Sequence, residues 1–303
     1  MINQLDKIEG IKRGHKLAKL TTFGMGGPAD YFYELRDVMN LPELIEACEA
    51  DGLPWVILGW GSNMIFSDKG FRGLVIHNLA KSIEMDGNLV VADSGALLSQ
   101  IIQFALKNGL RGMEKMMGLP GTIGGAVRGN AGAFGLETKH IFEKALIYTS
   151  GGEVREVGPD YVALSYRHSR LKETGELVLK VWLRLEPGDT AEGVAEVRQI
   201  IASRAGKHPQ GLTAGSFFKN PSGNSVGEGL SAGLMSDQCG FKGYHVGGAF
   251  ISEKHANFLM NDGSATMDDV LNLSSLIQDA VLKKYGIRLE REVQLIGEKG
   301  KIE

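Results

Sequence analysis

Cysteine is scarce: Cys48 and Cys239 are the only two in 303 residues. Two thiols so far apart exclude a disulfide framework and a cysteine-rich zinc site. An excess of either charge is also missing, with 33 Lys and Arg against 36 Asp and Glu. That balance excludes a nucleic-acid binder built on one large basic face. No apolar run approaches the roughly eighteen residues a bilayer-spanning helix needs. The N-terminal MINQLDKIEGIKRGHK carries charges where an export signal needs an apolar stretch. The expectation is a cytoplasmic protein with free thiols. None of the seven histidines makes an i, i+4 metal pair, so no metal is expected. Gly-Lys-Ser/Thr, Gly-x-Gly-x-x-Gly at a strand-to-helix junction and Gly-x-Ser-x-Gly are all absent, which removes the P-loop, the Rossmann fingerprint and the nucleophile elbow.

Glycine is what the chain has in excess: 42 residues, about twice average usage. With ample apolar content and no Gly-X-Y period, collagen and flexible linker are excluded. The glycines concentrate in three stretches: Gly24 to Ala29, Gly59 to Asn63, and Gly118 to Gly135. Such side-chain-poor loops either turn tightly or aim backbone amides at an anion, usually a phosphate.

Between the loops the pattern is mixed. Helices are predicted over 41–51, 97–107, 191–205 and 268–285, the last capped by Thr266, buried through Val270, Leu273, Ile277 and Val281, and ended by Gly286. Strands are predicted over 55–58, 73–76, 89–92, 145–148, 154–157, 177–185 and 289–296. Their irregular interleaving gives an α+β fold class rather than a doubly wound sheet. Gly206-Lys207-His208-Pro209-Gln210-Gly211 breaks the pattern and is read as a domain boundary and hinge.

Three residues invite a chemical reading, and each has a bland one. Ser216 lies in a turn-rich Gly215-Ser216-Phe217-Phe218, where most serines cap or turn. Arg167 follows Tyr166, where a surface arginine is ordinary. Glu292 alternates with Glu290 and Gln294 on one strand face, which reads as an exposed polar face.

Taken in order, the motifs carry more. Thr22-Phe23-Gly24-Met25-Gly26-Gly27-Pro28-Ala29, Leu58-Gly59-Trp60-Gly61-Ser62-Asn63 and Leu119-Pro120-Gly121-Thr122-Ile123-Gly124-Gly125-Ala126 come first, the last continuing to Asn130-Ala131-Gly132-Ala133-Phe134-Gly135. Tyr166-Arg167-His168-Ser169, Gly215 to Pro221, Ser252-Glu253-Lys254-His255-Ala256-Asn257-Phe258 and Leu289-Glu290-Arg291-Glu292-Val293 follow. With these motifs the chain resembles the UDP-N-acetylenolpyruvoylglucosamine reductase (MurB) family, over about residues 20–297.

The resemblance implies a two-part FAD-binding region of the PCMH/VAO type over 1–205, its subdomains meeting near residue 80. A C-terminal α/β substrate-binding domain over 206–303 follows, its last strand returning towards the active site. It implies non-covalent FAD, NADPH as co-substrate, and reduction of the enolpyruvyl group of a UDP-sugar to a lactyl ether. Ser216 matches the family's proton donor, and Arg167 and Glu292 its other catalytic positions. Gly59, Gly61, Ser62, Asn63, Met64, Gly121, Thr122, Ile123, Gly124, Gly125, Ala126, Asn130 and Gly132 match the FAD loops. Tyr166, Lys207, Lys219 and Asn220 match substrate-binding positions. Trp60, Arg128-Gly129 and Phe250 depart from the usual pattern, and the third domain has the shorter subtype's length. Two rival readings are a covalent flavin oxidase, disfavoured because no His or Cys lies in the glycine loops, and a flavin-free UDP-sugar binder, disfavoured by the intact loops.

Overall fold

A computed structural model describes residues 3–221 and 230–302. The N-terminal sheet is built around Phe71–Asn78, which lies parallel to both Pro28–Leu35 and Trp55–Leu58. Lys12–Lys16 adds an antiparallel edge. The helix Leu41–Asp51 packs Leu41, Leu44, Ile45 and Cys48 inward, and Gly52 ends it in the left-handed conformation. The central strand extends beyond the predicted 73–76 because Pro28–Leu35 pairs with it from Phe71 to Asn78, while Trp55–Leu58 pairs only with Leu74 to His77.

A second, wholly antiparallel sheet runs in the order Val154–Val157, Phe142–Tyr148, Leu177–Arg184, Leu89–Asp93, Ile83–Asp86. Alternate residues Leu177, Leu179, Val181 and Leu183 are buried, the two-residue period of a strand. Leu98–Lys107 covers this sheet with Leu98, Ile101, Ile102 and Ala105. The helix Thr190–Lys207 follows, running through Gly206 without a break.

The third sheet has the order Leu212–Ser216, Phe258–Asn261, Ala249–Ile251, His245–Val246. The helix Met267–Tyr285 packs Val270, Leu273, Ile277 and Val281 into the same apolar cluster as this sheet. Thr266 and Asp269 cap that helix reciprocally, side chain to amide in both directions.

The end of the chain differs from the predicted strand 289–296. Only Gln294–Gly297 is regular strand, and it pairs in parallel with Met64–Phe66, far away in sequence. Leu289–Val293 is instead pinned piecemeal: Lys219 N donates to Glu290 O at 2.9 Å and Glu292 N to Phe217 O at 2.8 Å. Facing different neighbours, Glu290 is 74% exposed and Glu292 20%. The two-residue alternation therefore does not give the expected exposed polar face. No helix among the described residues is long and apolar enough to cross a membrane.

Candidate active site

The three glycine stretches do different work. The first is a turn. Gly26 and Gly27 carbonyls accept from Ala18 N and Leu17 N at 3.1 Å each, and Gly27 N donates to Ser67 O at 2.9 Å. A Cβ on Gly27 would overlap the backbone of Asp68 and Gly70, so close backbone approach explains it.

The second and third stretches face each other. Ser62 Oγ donates to the Pro120 carbonyl at 2.7 Å. A Cβ on Gly59 would lie 2.9 Å from Thr122 Oγ1. Gly61 has φ +67, and a Cβ there would overlap the Leu20 carbonyl, so only glycine fits. Among the described residues, the amides from Trp60 to Asn63 and those of Gly121 and Thr122 donate to no other backbone group. Orphan donors on two tethered loops are what an anion such as a pyrophosphate would satisfy.

The helix Ile123–Gly129 is arranged differently from a simple phosphate-binding terminus. Its first amides are already engaged: Ile123 N donates to Ala96 O and Gly124 N to Ser94 O, both at 2.9 Å, and Gly125 N approaches Thr122 Oγ1 at 3.4 Å. A Cβ on Gly124 would press on Ser94, its Cβ 2.7 Å away, whereas one on Gly125 meets only Thr122 Oγ1 at 3.6 Å. Gly124 is therefore a packing glycine and Gly125 borders open space. Ile123 and Ala126 lie in the core, as does Met64. Gly132 pairs with Glu137 across a two-residue strand. Asn130 is wholly buried, donating to Glu137 Oε2 at 3.0 Å and Ser165 O at 2.9 Å and accepting from Lys139 N at 3.0 Å. Its side chain braces the loops beneath the site.

Above that brace stands the Tyr166-Arg167 turn. Ser165 and His168 exchange two backbone hydrogen bonds at 3.1 and 3.0 Å. Arg167 adopts φ +53, a left-handed conformation that costs a non-glycine residue about 1–2 kcal/mol. Strain of this kind concentrates at functional sites. The turn sends Arg167 Nε to within 2.7 Å of Glu292 Oε1. The Nε–H is not aimed at the oxygen, so this is a charge contact rather than a linear hydrogen bond. The guanidinium carbon also lies 5.5 Å from the Tyr166 ring centroid.

Glu292 is where the parts converge. Its amide donates to Phe217 O, next to Ser216, and its carbonyl accepts from Asn63 Nδ2 at 3.2 Å. Asn63 O accepts from Gln294 N at 3.0 Å. The serine strand, the second glycine loop and the arginine turn thus meet at one residue. Ser216 ends its strand half-buried, and its hydroxyl has no hydrogen-bond partner among the described residues. Asn257 clamps the next two residues, accepting from Phe217 N at 2.8 Å with its carbonyl and from Phe218 N at 2.9 Å with its side chain, and donating to Phe218 O at 2.9 Å.

Among the substrate-type residues, Lys219 pairs with Glu290 at 2.9 Å and Asn220 Oδ1 accepts from Ala232 N at 3.0 Å. Tyr166 is half-exposed. Lys207 ends its helix, and its side chain lies outside the described residues.

Two residues near these were not singled out from the sequence. Asn257 is one, although its motif was visible. Lys172 is the other: its ammonium donates to Arg167 O at 2.7 Å. Loss of hydration, then the proximity of Lys219, pushes its pKa down to about 8; Arg128 and Arg167 act in the same direction and Glu292 opposes them. A lysine five residues beyond Arg167 looks like any surface lysine until the turn folds.

A family model for an FAD binding domain matches residues 29–158, and one for the C-terminal domain of UDP-N-acetylenolpyruvoylglucosamine reductase matches 208–296. The Agathobacter rectalis reductase of that name is 39% identical, over 95% of each chain. The one from Caldanaerobacter subterraneus is 37% identical, covering 97% of this chain and 98% of its own. The chain belongs to the UDP-N-acetylenolpyruvoylglucosamine reductase family. It is an FAD-dependent oxidoreductase of the α+β class. The crystal structure of the Thermus caldophilus family member superposes with a TM-score of 0.79 at 31% identity, spanning 94% of this chain and 98% of that one. Among the described residues no group of His, Cys, Asp and Glu is arranged to hold a metal ion.

Proposed function

We propose that the cleft around Glu292 is where this reductase converts the enolpyruvyl ether of UDP-N-acetylglucosamine into the lactyl ether of UDP-N-acetylmuramate. The observation that carries the reading is the convergence on Glu292 of Arg167, the Ser216 strand and Asn63. Residues 1–205 then form the FAD-binding region and 206–303 the substrate domain. With two unpaired cysteines and a nicotinamide nucleotide as co-substrate, we place the reaction in the cytoplasm. FAD, reduced by NADPH, supplies the hydride.

The chain's own residues handle charge and proton. The orphan amides of Trp60 to Asn63, Gly121 and Thr122 hold the pyrophosphate of FAD, with Gly125 leaving room beside them. Hydride arrival at the terminal enolpyruvyl carbon leaves negative charge delocalised onto the substrate carboxylate, which Arg167 offsets. Glu292 keeps that guanidinium turned into the cleft. Ser216 gives its proton to the carbon bearing the ether oxygen, completing the reduction. Tyr166, Lys207, Lys219 and Asn220 hold the UDP-sugar, the lysines against its diphosphate.

The test is spectroscopic. The protein should purify yellow, and after denaturation its flavin should pass an ultrafiltration membrane. Anaerobic NADPH should bleach it, and UDP-N-acetylglucosamine enolpyruvate should restore the colour. A colourless protein that still binds the UDP-sugar overturns the reading, as does flavin that stays with the polypeptide.

A further inference from the structure

We propose that Lys172 is a positioning residue for Arg167, its ammonium fastening the strained turn that carries the guanidinium to Glu292. The inference rests on the assignment of Arg167 above. Several observations support it. Arg167 holds a conformation that a non-glycine residue leaves unless something retains it. The residues on either side of the strained one are held by backbone bonds between Ser165 and His168 and by Asn130 Nδ2 on the Ser165 carbonyl. The carbonyl of Arg167 itself is held by Lys172 Nζ at 2.7 Å.

Lys172 is well placed to act as a fixed post. Leu171 beside it is wholly buried in the core of the second sheet. Lys172 N donates to Ser169 O at 3.0 Å, and Ser169 Oγ donates to Arg128 O at 2.6 Å. Arg128 in turn donates to Leu171 O at 3.1 Å. The short helix Arg170–Thr174 is thus anchored to the helix Ile123–Gly129, and the lysine reaches back from it to the turn.

The chemistry of the contact also separates Lys172 from an ordinary surface lysine. Glu173 beside it pairs with His168 instead, at 3.2 Å. Among the described residues no carboxylate comes within 4.0 Å of Lys172. No ion pair therefore competes with the Arg167 carbonyl for its ammonium, and Glu292 acts on it only at longer range.

The experiment uses the flavin-loaded enzyme and follows its two half-reactions separately. Lys172→Met should leave flavin bleaching by NADPH unchanged and slow reoxidation by UDP-N-acetylglucosamine enolpyruvate by about 10- to 10²-fold, the range expected when a catalytic group is displaced by around an ångström. Lys172→Arg, which keeps both donor and charge, should recover most of the rate. Calorimetric titration of the oxidised enzyme with substrate should show a smaller change than the rate does. In an Arg167→Ala background, adding Lys172→Met should cost less than about 2-fold, because a residue acting through Arg167 has nothing left to position. If Lys172→Met loses flavin, Lys172→Ala, which likewise removes the donor to the Arg167 carbonyl, carries the same comparison. Wild-type reoxidation in Lys172→Met overturns the proposal, and so does a full additional loss in the Arg167→Ala background. Failure of the wild-type enzyme to be reoxidised by the substrate would overturn the functional reading instead.

Discussion

Ser216 and Lys172 act on different quantities, and each can be tested at the level of one side chain. Among the described residues the hydroxyl of Ser216 has no partner, so its removal leaves no described group orphaned. Ser216→Ala should accept electrons from NADPH at near the wild-type rate, because that step needs no proton delivered to carbon. Its reoxidation by substrate should slow by roughly 10²–10⁴-fold, the usual worth of a general acid. Stopped-flow absorbance separates the two, and unaltered reoxidation would return Ser216 to a plain turn residue. For Lys172 the variable is pH. With a pKa near 8, it is charged below that pH and neutral above it, set among Lys219, Arg128, Arg167 and Glu292. A neutral amine gives the Arg167 carbonyl only a weaker hydrogen bond without charge assistance, so the turn is held less firmly. Reoxidation should therefore fall as pH rises through about 8, and Lys172→Arg should lack that limb. The stability effect has the opposite sign. The unfolded chain holds this proton up to its ordinary 10.5 and the folded chain only to about 8, so the unfolded state binds more protons in between. Wild type should gain stability relative to Lys172→Met as pH rises through that window, read by urea titration at several pH values.

At the scale of the element, the glycines of the helix Ile123–Gly129 make contrasting predictions. Gly125→Val points its side chain into open space beside the orphan amides, so the protein should fold and lose flavin. Gly124→Ala presses on Ser94 Cβ and its carbonyl, so it should lower the denaturation midpoint before it affects flavin. Circular dichroism and the flavin-to-protein absorbance ratio tell the two apart. Thr266→Ala removes the cap of Met267–Tyr285 and should cost about 1 kcal/mol in urea unfolding. That helix was legible in the sequence down to its cap and its Gly286 stop, because capping and apolar periodicity are local properties. So were Leu41–Asp51 and Trp55–Leu58, matched to the residue. The chain from Leu289 to Val293 was not, because its conformation is imposed by Phe217, Lys219 and Asn63, none of them near in sequence. The site divides the same way. The motifs named Arg167, Glu292 and Ser216, but Lys172 becomes visible only once Arg167 turns left-handed and exposes its carbonyl. For the same reason the glycine loops read alike in sequence, while only the fold separates the packing turn at Gly27 from the free amides at Trp60 to Asn63.

At the scale of the whole molecule, the expected hinge at 206–211 meets a chain that is sewn together elsewhere. The joint itself is held, with Lys254 Nζ donating to the carbonyls of Ala205 at 3.4 Å and His208 at 3.3 Å. More restrictive are the ties between the C-terminal residues and the first seventy. Thr22 and Thr213 exchange hydrogen bonds, Thr22 Oγ1 to Thr213 O at 2.7 Å and Thr213 N to Thr22 O at 3.0 Å. Asn261 Nδ2 donates to Phe23 O at 2.9 Å, and Met267 N to Asp68 Oδ1 at 2.9 Å. Gln294–Gly297 is a strand of the same small sheet as Met64–Phe66. Phe23, Met25 and Ile65 are buried in the core that the helix Met267–Tyr285 covers. A pivot at 206–211 would have to open this core and a sheet ladder together, and packed cores are bistable rather than continuously deformable. The substrate domain and the N-terminal sheet should therefore move as one body. Small-angle scattering of the oxidised enzyme, free and saturated with UDP-N-acetylglucosamine enolpyruvate in the absence of NADPH, should give superimposable curves. A fall in the radius of gyration on binding would show that the hinge operates and that these ties break within the catalytic cycle. Phe23→Ala offers the converse check. It removes a wholly buried ring from the shared core, at a cost of about 3–5 kcal/mol, and trypsin should then cut at Lys207 more readily than in wild type.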